Sequence, residues 1–497
     1  MSWVGFIMKN GLASLWVLIL ATSPVLAQTS VDRFERQMEH IQREQVLQSD
    51  ERIPAEQRAL FDYGGFAAFN FFAIDDLNQS THILRQTDLS GYARLNFDDV
   101  HEIFIRGLAR YEDFNSGDSF DNEGDDLVGP RLKRAFYRFN LQHYLAVYEG
   151  QQSDLGLIFT GGRQLAHWAT GLTLDHEFDG ITLEASLGDV TLTGLAGVTV
   201  PETLDFDSSR PNFDDDTRRG LFGGRLDWQV VPEHKVYVYG LVQRDYNQED
   251  FDPDPLIQQR NMGIAVPLLP TRYEYDSHYI GFGSQGNITD KIVYGVEAVY
   301  EGGDALSSSF MLNGTVATAV PQTSENISAF AFHSHFDYLF HDANRTRATL
   351  AVVLASGDND RLSTSNTFGG NRSGTDDHAF NALGLIYTGV AFAPQVSNLL
   401  MVRGGVSTFP LPEHSWLDRL QIGANVFVYN KLNANAPINE PTGDQHYLGT
   451  GLDMFVNWQL SSDMSLAVRY GVFFPGTAIQ TDHDARHFLF TGFTYAF

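Results

Sequence analysis

The chain has 497 residues, with 62 Asp and Glu against 33 Lys and Arg, a formal net charge of −29 and no cysteine. That balance excludes nucleic acid as a natural partner, because a phosphate backbone calls for a positive surface, and the missing cysteines exclude disulfide and thiolate chemistry. With 45 Gly, 37 Phe and 20 Tyr the composition suits closely spaced strands ringed by aromatic side chains, and a mean hydropathy of −0.20 is no obstacle to membrane insertion by strands, since alternation and polar loops dilute the apolar signal.

Lys9 is the only charge before an apolar run from Leu12 to Ala21, and Val25-Leu26-Ala27 supplies a small-residue cleavage pattern. Residues 1–27 therefore read as a secretory signal peptide, with the mature chain beginning at Gln28. Asn10 and Lys9 on one side and Ser23-Pro24 on the other leave the run short of the roughly 20 residues that a spanning helix needs. Residues 28–60 follow as a periplasmic segment and linker. Val31, Phe34, Met38 and Ile41 lie at helical spacing and predict a short amphipathic helix over 31–48. At about two heptads it is too short to argue for a coiled coil; its alternative is a plug, lid or partner contact. Pro54 ends the segment.

Beyond it, no stretch is long and apolar enough for a spanning helix, so membrane entry requires a closed barrel, which satisfies every backbone N–H and C=O. Period-two alternation predicts strands at 63–75, 85–97, 100–112, 131–142, 156–164, 180–187, 189–200, 219–230, 234–245, 274–287, 290–301, 326–339, 344–356, 397–409, 418–430, 447–460, 463–475 and 485–497. Tight turns such as Phe97-Asp98-Asp99-Val100, Gly188-Asp189, Val231-Pro232-Glu233-His234, Asn287 to Asp290 and Ser461-Ser462-Asp463 alternate with long acidic or glycine-rich loops. This is the topology of an all-β, antiparallel transmembrane barrel of about 18 strands over 61–497, with the tight turns periplasmic. Ala379 to Val390 also has strand composition. Counting it would make the total odd, so it is assigned to a long loop from Gly357 to Val396 that folds back into the lumen. A large soluble β-sandwich or β-helix would not explain the alternating connection lengths. In the last strand His487, Leu489, Thr491, Phe493, Tyr495 and Phe497 share one face, opposite Arg486, Gly492, Thr494 and Ala496, so the lipid side is apolar and the inner side largely small or polar. Its terminal aromatic resembles the C-terminal signal of bacterial outer-membrane barrels.

The acidic residues cluster in loops, at Asp113 to Asp126, Asp205 to Asp216, Asp245 to Asp254, Asp358 to Asp360 and Asp376-Asp377. Solvation of long loops accounts for them; Ca²⁺ binding would require several of these oxygens to converge. Arginine behaves differently. Arg106 and Arg110 oppose Ile103, Ile105 and Ala109; Arg134 and Arg138 oppose Ala135, Tyr137, Phe139 and Leu141; Arg225 opposes Phe222, Leu226 and Trp228. Arg403 opposes Leu400, Val402 and Val406, and Arg469 opposes Leu466, Val468, Tyr470 and Val472, while Arg94, Arg163 and Arg244 fit the same assignment with weaker alternation. A lipid-facing arginine near the midplane costs about 2–4 kcal/mol, so all ten are assigned to the lumen. Such a lining suits an anion conduit, because guanidinium grips carboxylate in a forked geometry and does not titrate away. The competing reading is that these arginines brace the interior by pairing with Glu102, Asp227 and Glu297.

Other motifs carry little. Gly281-Phe282-Gly283-Ser284-Gln285-Gly286 matches a dinucleotide fingerprint but lies inside an alternating strand without a following helix, so its glycines read as room for neighbouring side chains. His333 and His335 share a strand face and could hold a metal with a third ligand; interfacial or lumenal hydrogen bonding is the simpler role. No Gly-x-Ser-x-Gly elbow occurs, and nothing gathers Ser, His and Asp into a triad, which leaves an outer-membrane phospholipase or protease without support.

Four segments carry a family resemblance: Arg131-Leu132-Lys133-Arg134-Ala135-Phe136-Tyr137, Gly162-Arg163-Gln164, Ala355-Ser356-Gly357-Asp358-Asn359 and Leu420 to Tyr429. They resemble the alginate export family of monomeric 18-stranded outer-membrane barrels, over about residues 61–497. The resemblance implies passive export of a polyuronate through an arginine-lined pore, with no enzyme activity and no cofactor. It further implies a bacterial outer-membrane location, periplasmic export partners, and gating by a lumenal loop and a periplasmic turn. Arg134, Arg138 and Arg163 would line the constriction, with Arg403 and Arg469 contributing. The 31–48 helix and the acidic loops depart from the family pattern. A diffusion porin for small anions or sugars is the alternative within transport, and an adhesin or structural barrel the alternative outside it.

Overall fold

The computed structural model describes residues 59–497 apart from 78–79, 120–123, 211, 248–249, 252–270 and 314–315. The expected signal peptide and the 31–48 helix lie outside the described residues. Eighteen strands form a single sheet that closes on itself. In chain order they are β1 (Ala59–Asp75), β2 (Thr81–Phe97), β3 (His101–Phe114), β4 (Asp126–Asn140), β5 (Leu155–His167), β6 (Asp175–Leu187), β7 (Val190–Thr199), β8 (Arg219–Val231) and β9 (His234–Asp245). The second half comprises β10 (Tyr275–Thr289), β11 (Ile292–Leu306), β12 (Ser324–Leu339), β13 (Arg347–Ala355), β14 (Leu399–Thr408), β15 (Leu420–Asn430), β16 (Tyr447–Gln459), β17 (Met464–Pro475) and β18 (Arg486–Ala496). Each pairs antiparallel with the next, and β18 returns to β1 from Phe66↔Ala496 to Ile74↔Phe488. The terminal residue finishes the closure, since the Gly65 N–H donates to the Phe497 carbonyl at 3.0 Å and the Phe497 N–H donates back at 2.9 Å.

All eighteen expected strands are present, and the tight turns lie together at one end of the barrel with the first and last residues of the sheet. Two features differ from expectation. The fourth strand starts earlier, at Asp126, and stops at Asn140, where a helix, α1 (Leu141–Tyr148), begins. The Asn140 side chain caps α1 by accepting from the His143 N–H at 3.2 Å, a local competition with the strand ladder that alternation does not reveal. In β18, Phe488 and Phe490 join Arg486 on the inner face and are almost fully buried, against Phe72, Ile74, Leu84 and Val390. The lumen is therefore partly an apolar core.

The 357–396 segment explains that core. It contributes no strand to the barrel and runs inside it, with Phe380 and Leu383 in one cluster with Trp168, Tyr239 and Tyr279 and Phe392 in another with Phe427, Tyr429 and Phe473. Polar anchors fix its path. The Ser328 N–H donates to the Asp377 carbonyl (2.8 Å), the Asp175 N–H to the Leu383 carbonyl (2.9 Å), and the Tyr279 hydroxyl to the Asn381 carbonyl (2.5 Å). The Gly281 and Gly283 pair serves packing: a Cβ at Gly281 would meet the Tyr239 ring at 2.1 Å, and one at Gly283 the Tyr237 hydroxyl at 2.4 Å.

Buried ion pairs pin the extracellular loops to the wall. Fully buried Arg219 reaches Asp205 at 2.7 Å and Asp245 at 3.1 Å and lies over the Phe206 ring at 4.1 Å. Arg486 on β18 pairs with Glu440, while Arg361 pairs with Asp377 inside the 357–396 segment itself. Arg219→Ala would leave buried Asp245 without its cation and Asp205 with Arg210 at 3.4 Å, and should cost about 3–5 kcal/mol, seen as a lower temperature for loss of the heat-modifiable band of the folded barrel. Burial raises the Asp207 carboxyl above its ordinary value, against the opposing hydrogen bonds from Ser209 and Thr367. A raised carboxyl binds its proton more tightly when folded. Its stabilising contribution is therefore complete below the unfolded value of about 3.9 and is lost as pH rises through the raised one. Asp207→Asn should flatten the rise in melting temperature on acidification through that window.

Candidate functional site

Strand register decides which arginines face the lumen. Ile103 and Ile105 are exposed on the outer wall, so Glu102, Phe104, Arg106 and Arg110 point inward. The pairs Arg94↔Phe104, Tyr92↔Arg106 and Asp88↔Arg110 carry that face onto β2, and Arg106↔Arg134 and Glu102↔Arg138 carry it onto β4. Arg94, Arg106, Arg110, Arg134 and Arg138 thus occupy the inner face of three adjacent strands. Residues four apart on one strand are roughly 13 Å apart and neighbouring strands about 4.8 Å, which makes a staggered lattice of guanidinium groups. Solvent reaches it: the Arg94 and Arg138 side chains are 39% and 45% exposed.

Carboxylates are set among these cations. Glu102 lies 2.9 Å from both Arg94 and Arg138, and Asp88 lies 2.9 Å from Arg110. Arg106 donates to the Ser90 hydroxyl at 3.2 Å and stacks over the Phe66 ring. Farther round the wall Arg225 pairs with Asp227 at 2.7 Å. Lys235 also reaches Asp227, at 3.3 Å, and Arg347 pairs with Asp337 at the periplasmic mouth; neither was singled out from sequence, because each stands next to a turn where alternation is short. Glu297 takes another role than bracing an arginine directly, accepting from the Thr170 N–H (2.9 Å) and the Tyr239 hydroxyl (2.5 Å).

Across β1 from the cationic wall, Arg403 on β14 and Arg469 on β17 meet the inward segment. Arg403 lies over the Tyr387 ring at 5.2 Å, and the Tyr387 hydroxyl donates to Asp453 at 2.6 Å, to which the Val390 N–H also donates at 3.1 Å. Arg469 is buried, donates to the carbonyls of Val456 and Val468 and lies over Phe455 at 5.2 Å. The lumen has two sides in consequence. One is a water-accessible cationic wall on β2–β4, and the other is a wall on which a tyrosine of the inward segment is held between an arginine and an aspartate.

Two expected lumenal arginines point the other way. Arg163 pairs in register with Ala135 and Asp179, on the face of exposed Ile181 and Leu183. It forks onto Asp179 at 2.8 and 2.7 Å and caps the end of the β4–β5 ladder by donating to the Leu132 carbonyl. Arg244 shares parity with exposed Val236, Val238 and Val242 and pairs with Asp276 at 2.7 Å. Both sit toward the extracellular ends of their strands, beyond the midplane where the charge penalty applies, and each has a carboxylate on the adjacent strand. For Arg163 the preceding Gly161-Gly162 gives no parity signal, and Gly162 adopts a φ of 124°.

His333 and His335 are inward neighbours with ring centroids 5.6 Å apart, and among the described residues no three His, Asp or Glu side chains gather as a metal site. Several loop carboxylates expected as candidate Ca²⁺ oxygens are engaged within the protein, Asp205 by Arg219 and Asp377 by Arg361.

Comparison with known proteins agrees with this architecture. Among solved structures the fold is similar to OccAB3 of Acinetobacter baumannii, at 9% identity and a TM-score of 0.51, covering 88% of this chain and 99% of that one. OccK11 (OpdR) of Pseudomonas aeruginosa gives 11% identity and a TM-score of 0.49 over 88% and 96%. The outer membrane protein opdK from Pseudomonas aeruginosa gives 8% and 0.47 over 88% and 99%. No curated protein sequence matches. The alginate export family model matches residues 174–491, a span that includes the Ser356-Gly357-Asp358 strand end and the strand from Leu420, and begins after the Arg131–Tyr137 run. A closed 18-stranded barrel with a charged lumen, matched by that model over more than half its length, is a channel of the bacterial outer membrane, and the chain belongs to the alginate export family.

Proposed function

We propose that this barrel conducts an anionic polysaccharide, alginate or a related polyuronate, passively from the periplasm to the exterior. The observation that carries the reading is the set of inward arginines on β2–β4, water-accessible and four residues apart along their strands. A carboxylate leaving one guanidinium meets another within one strand spacing, so the chain advances by exchange. Glu102 and Asp88 compete for the same guanidinium groups and shorten each stop, which conduction requires as much as binding. No catalytic step or cofactor is needed. The barrel acts as a monomer, with periplasmic export proteins delivering the polymer.

One observation favours a second reading, a diffusion channel for small anions or sugars: the segment inside the lumen narrows the path beside the cationic wall. Single-channel recording from the purified barrel in a planar bilayer under a salt gradient separates the two. Anion selectivity with block by a uronate oligomer supports the polymer conduit. An anion-selective channel that passes monouronate but is not blocked by the oligomer supports the second reading, and a cation-selective channel overturns the polyuronate conduit in favour of a general porin.

A further inference from the structure

The outer wall of the barrel should be apolar where it meets lipid, yet one crevice on it is polar. It has a volume of about 550 Å³ and spans β9 to β12. Arg244, Asp276, His278, Asp304, Asn326 and Ser328 line it, all at the ends of their strands away from the tight turns. Glycine makes the space: a Cβ on Gly302 would stand 2.7 Å from His278 Nε2. Arg244 is paired with Asp276 but its side chain remains 53% exposed. The crevice sits directly above an apolar belt in which Val242, Ile280, Phe282, Tyr300 and Phe330 are exposed, and the Tyr300 hydroxyl turns up toward Ser328 at 3.4 Å.

We propose that this crevice binds the phosphorylated headgroup of a glycolipid in the outer leaflet, its acyl chains lying down the exposed belt below. The Arg244 guanidinium offers a fork to phosphate, His278 and Ser328 offer further polar contacts, and the Asn326 amide, which donates to Asp376 at 3.3 Å, stands beside them. Asp276 and Asp304 would repel a bare phosphate. They suit one that arrives with a divalent counter-ion, which bridges phosphate to carboxylate while Arg244 takes the remaining oxygens. The apolar belt alone would hold any lipid, so the polar lining is what selects the phosphate. This inference is independent of what the lumen conducts.

The test is native mass spectrometry of the full barrel in detergent with Mg²⁺, titrated with diphosphorylated lipid A, with the same lipid dephosphorylated, and with inorganic phosphate. The expected result is binding of the phosphorylated lipid at least about tenfold tighter than the dephosphorylated one, and weakening by about tenfold in Arg244→Ala, the size of one charge-assisted contact. His278→Ala should weaken it less, and Arg85→Ala, at another outward arginine, should leave it unchanged. Retained heat-modifiability of each variant shows that the barrel is folded. Equal binding of both lipids, or no loss in folded Arg244→Ala, overturns the proposal. Inorganic phosphate competing as tightly as the lipid would reduce the crevice to a simple anion site and overturn the lipid assignment.

Discussion

Replacing residues 379–393 with a short Gly-Ser bridge is expected to raise single-channel conductance several-fold while leaving the barrel folded. The strand ladder closes without this segment, because the eighteen strands pair around a closed circuit, which is the requirement for stability in lipid; among the bonds given up is the one from the Asp175 N–H at the start of β6 to the Leu383 carbonyl. What the segment contributes is lumenal contents. Phe380, Leu383 and Phe392 fill the space beside β5–β17, and Tyr387, Thr388 and Val390 are bonded to Asp453 and Tyr429. Removing them exposes inward tyrosines and phenylalanines to water, so the melting temperature should fall even as conductance rises. Tyr387→Phe offers a gentler probe. It keeps the ring beneath Arg403 and removes one hydrogen bond, worth about 1 kcal/mol, and should raise the frequency of brief openings without a change in the fully open level. An unchanged conductance in the bridged variant would mean that ions pass only along β2–β4 and that the segment is structural filling.

Much of the fold was legible because the strongest term in a barrel, period-two alternation under lipid on one side, is written into each strand separately. The even strand count, the assignment of 379–390 to an inward loop and the gathering of the tight turns at one end of the barrel all followed from pattern and closure. Three kinds of information were not written in the alternation. Asn140 ends β4 by capping a helix, a choice made by one side chain against the ladder. Phe488 and Phe490 face inward because a segment nearly a hundred residues earlier in the chain supplies Val390 for them to pack on, a contact that no strand pattern contains. Arg163 and Arg244 face outward because a partner carboxylate stands beside each on the neighbouring strand, so the rule that lipid-facing arginine is costly no longer applies at the rim. The arginine column on β2–β4 was legible, and its carboxylates were only partly so. Glu102 was foreseen as a brace; Asp88 and Asp453 were not, since Asp453 is the one charged residue of β16 and Asp88 shares β2 with Arg94, whose alternation is weak.

Two sets of substitutions on the cationic wall should move oligouronate block in opposite directions. Arg106→Ala with Arg134→Ala removes two guanidinium groups that face each other in register while Arg94 and Arg138 keep their shared Glu102. Each charge-assisted contact is worth about 1.5–3 kcal/mol, so the pair should weaken block by about a hundredfold or more at low salt, with a shift of reversal potential toward cation selectivity. Glu102→Gln does the reverse. It leaves both arginines in place and withdraws the carboxylate that competes for them, so block should strengthen and its off-rate slow. Raising ionic strength should shrink both effects, because these side chains are partly exposed and the Debye length falls to about 3 Å at 1 M salt. If the arginines merely brace the wall, both effects on conduction vanish. Glu102→Gln would then leave two like charges without their bridge and lower the melting temperature with no gain in block, and the double substitution would leave selectivity where it was. The contrast in sign between the two variants therefore separates a conduit from a scaffold, where the size of either effect alone would not.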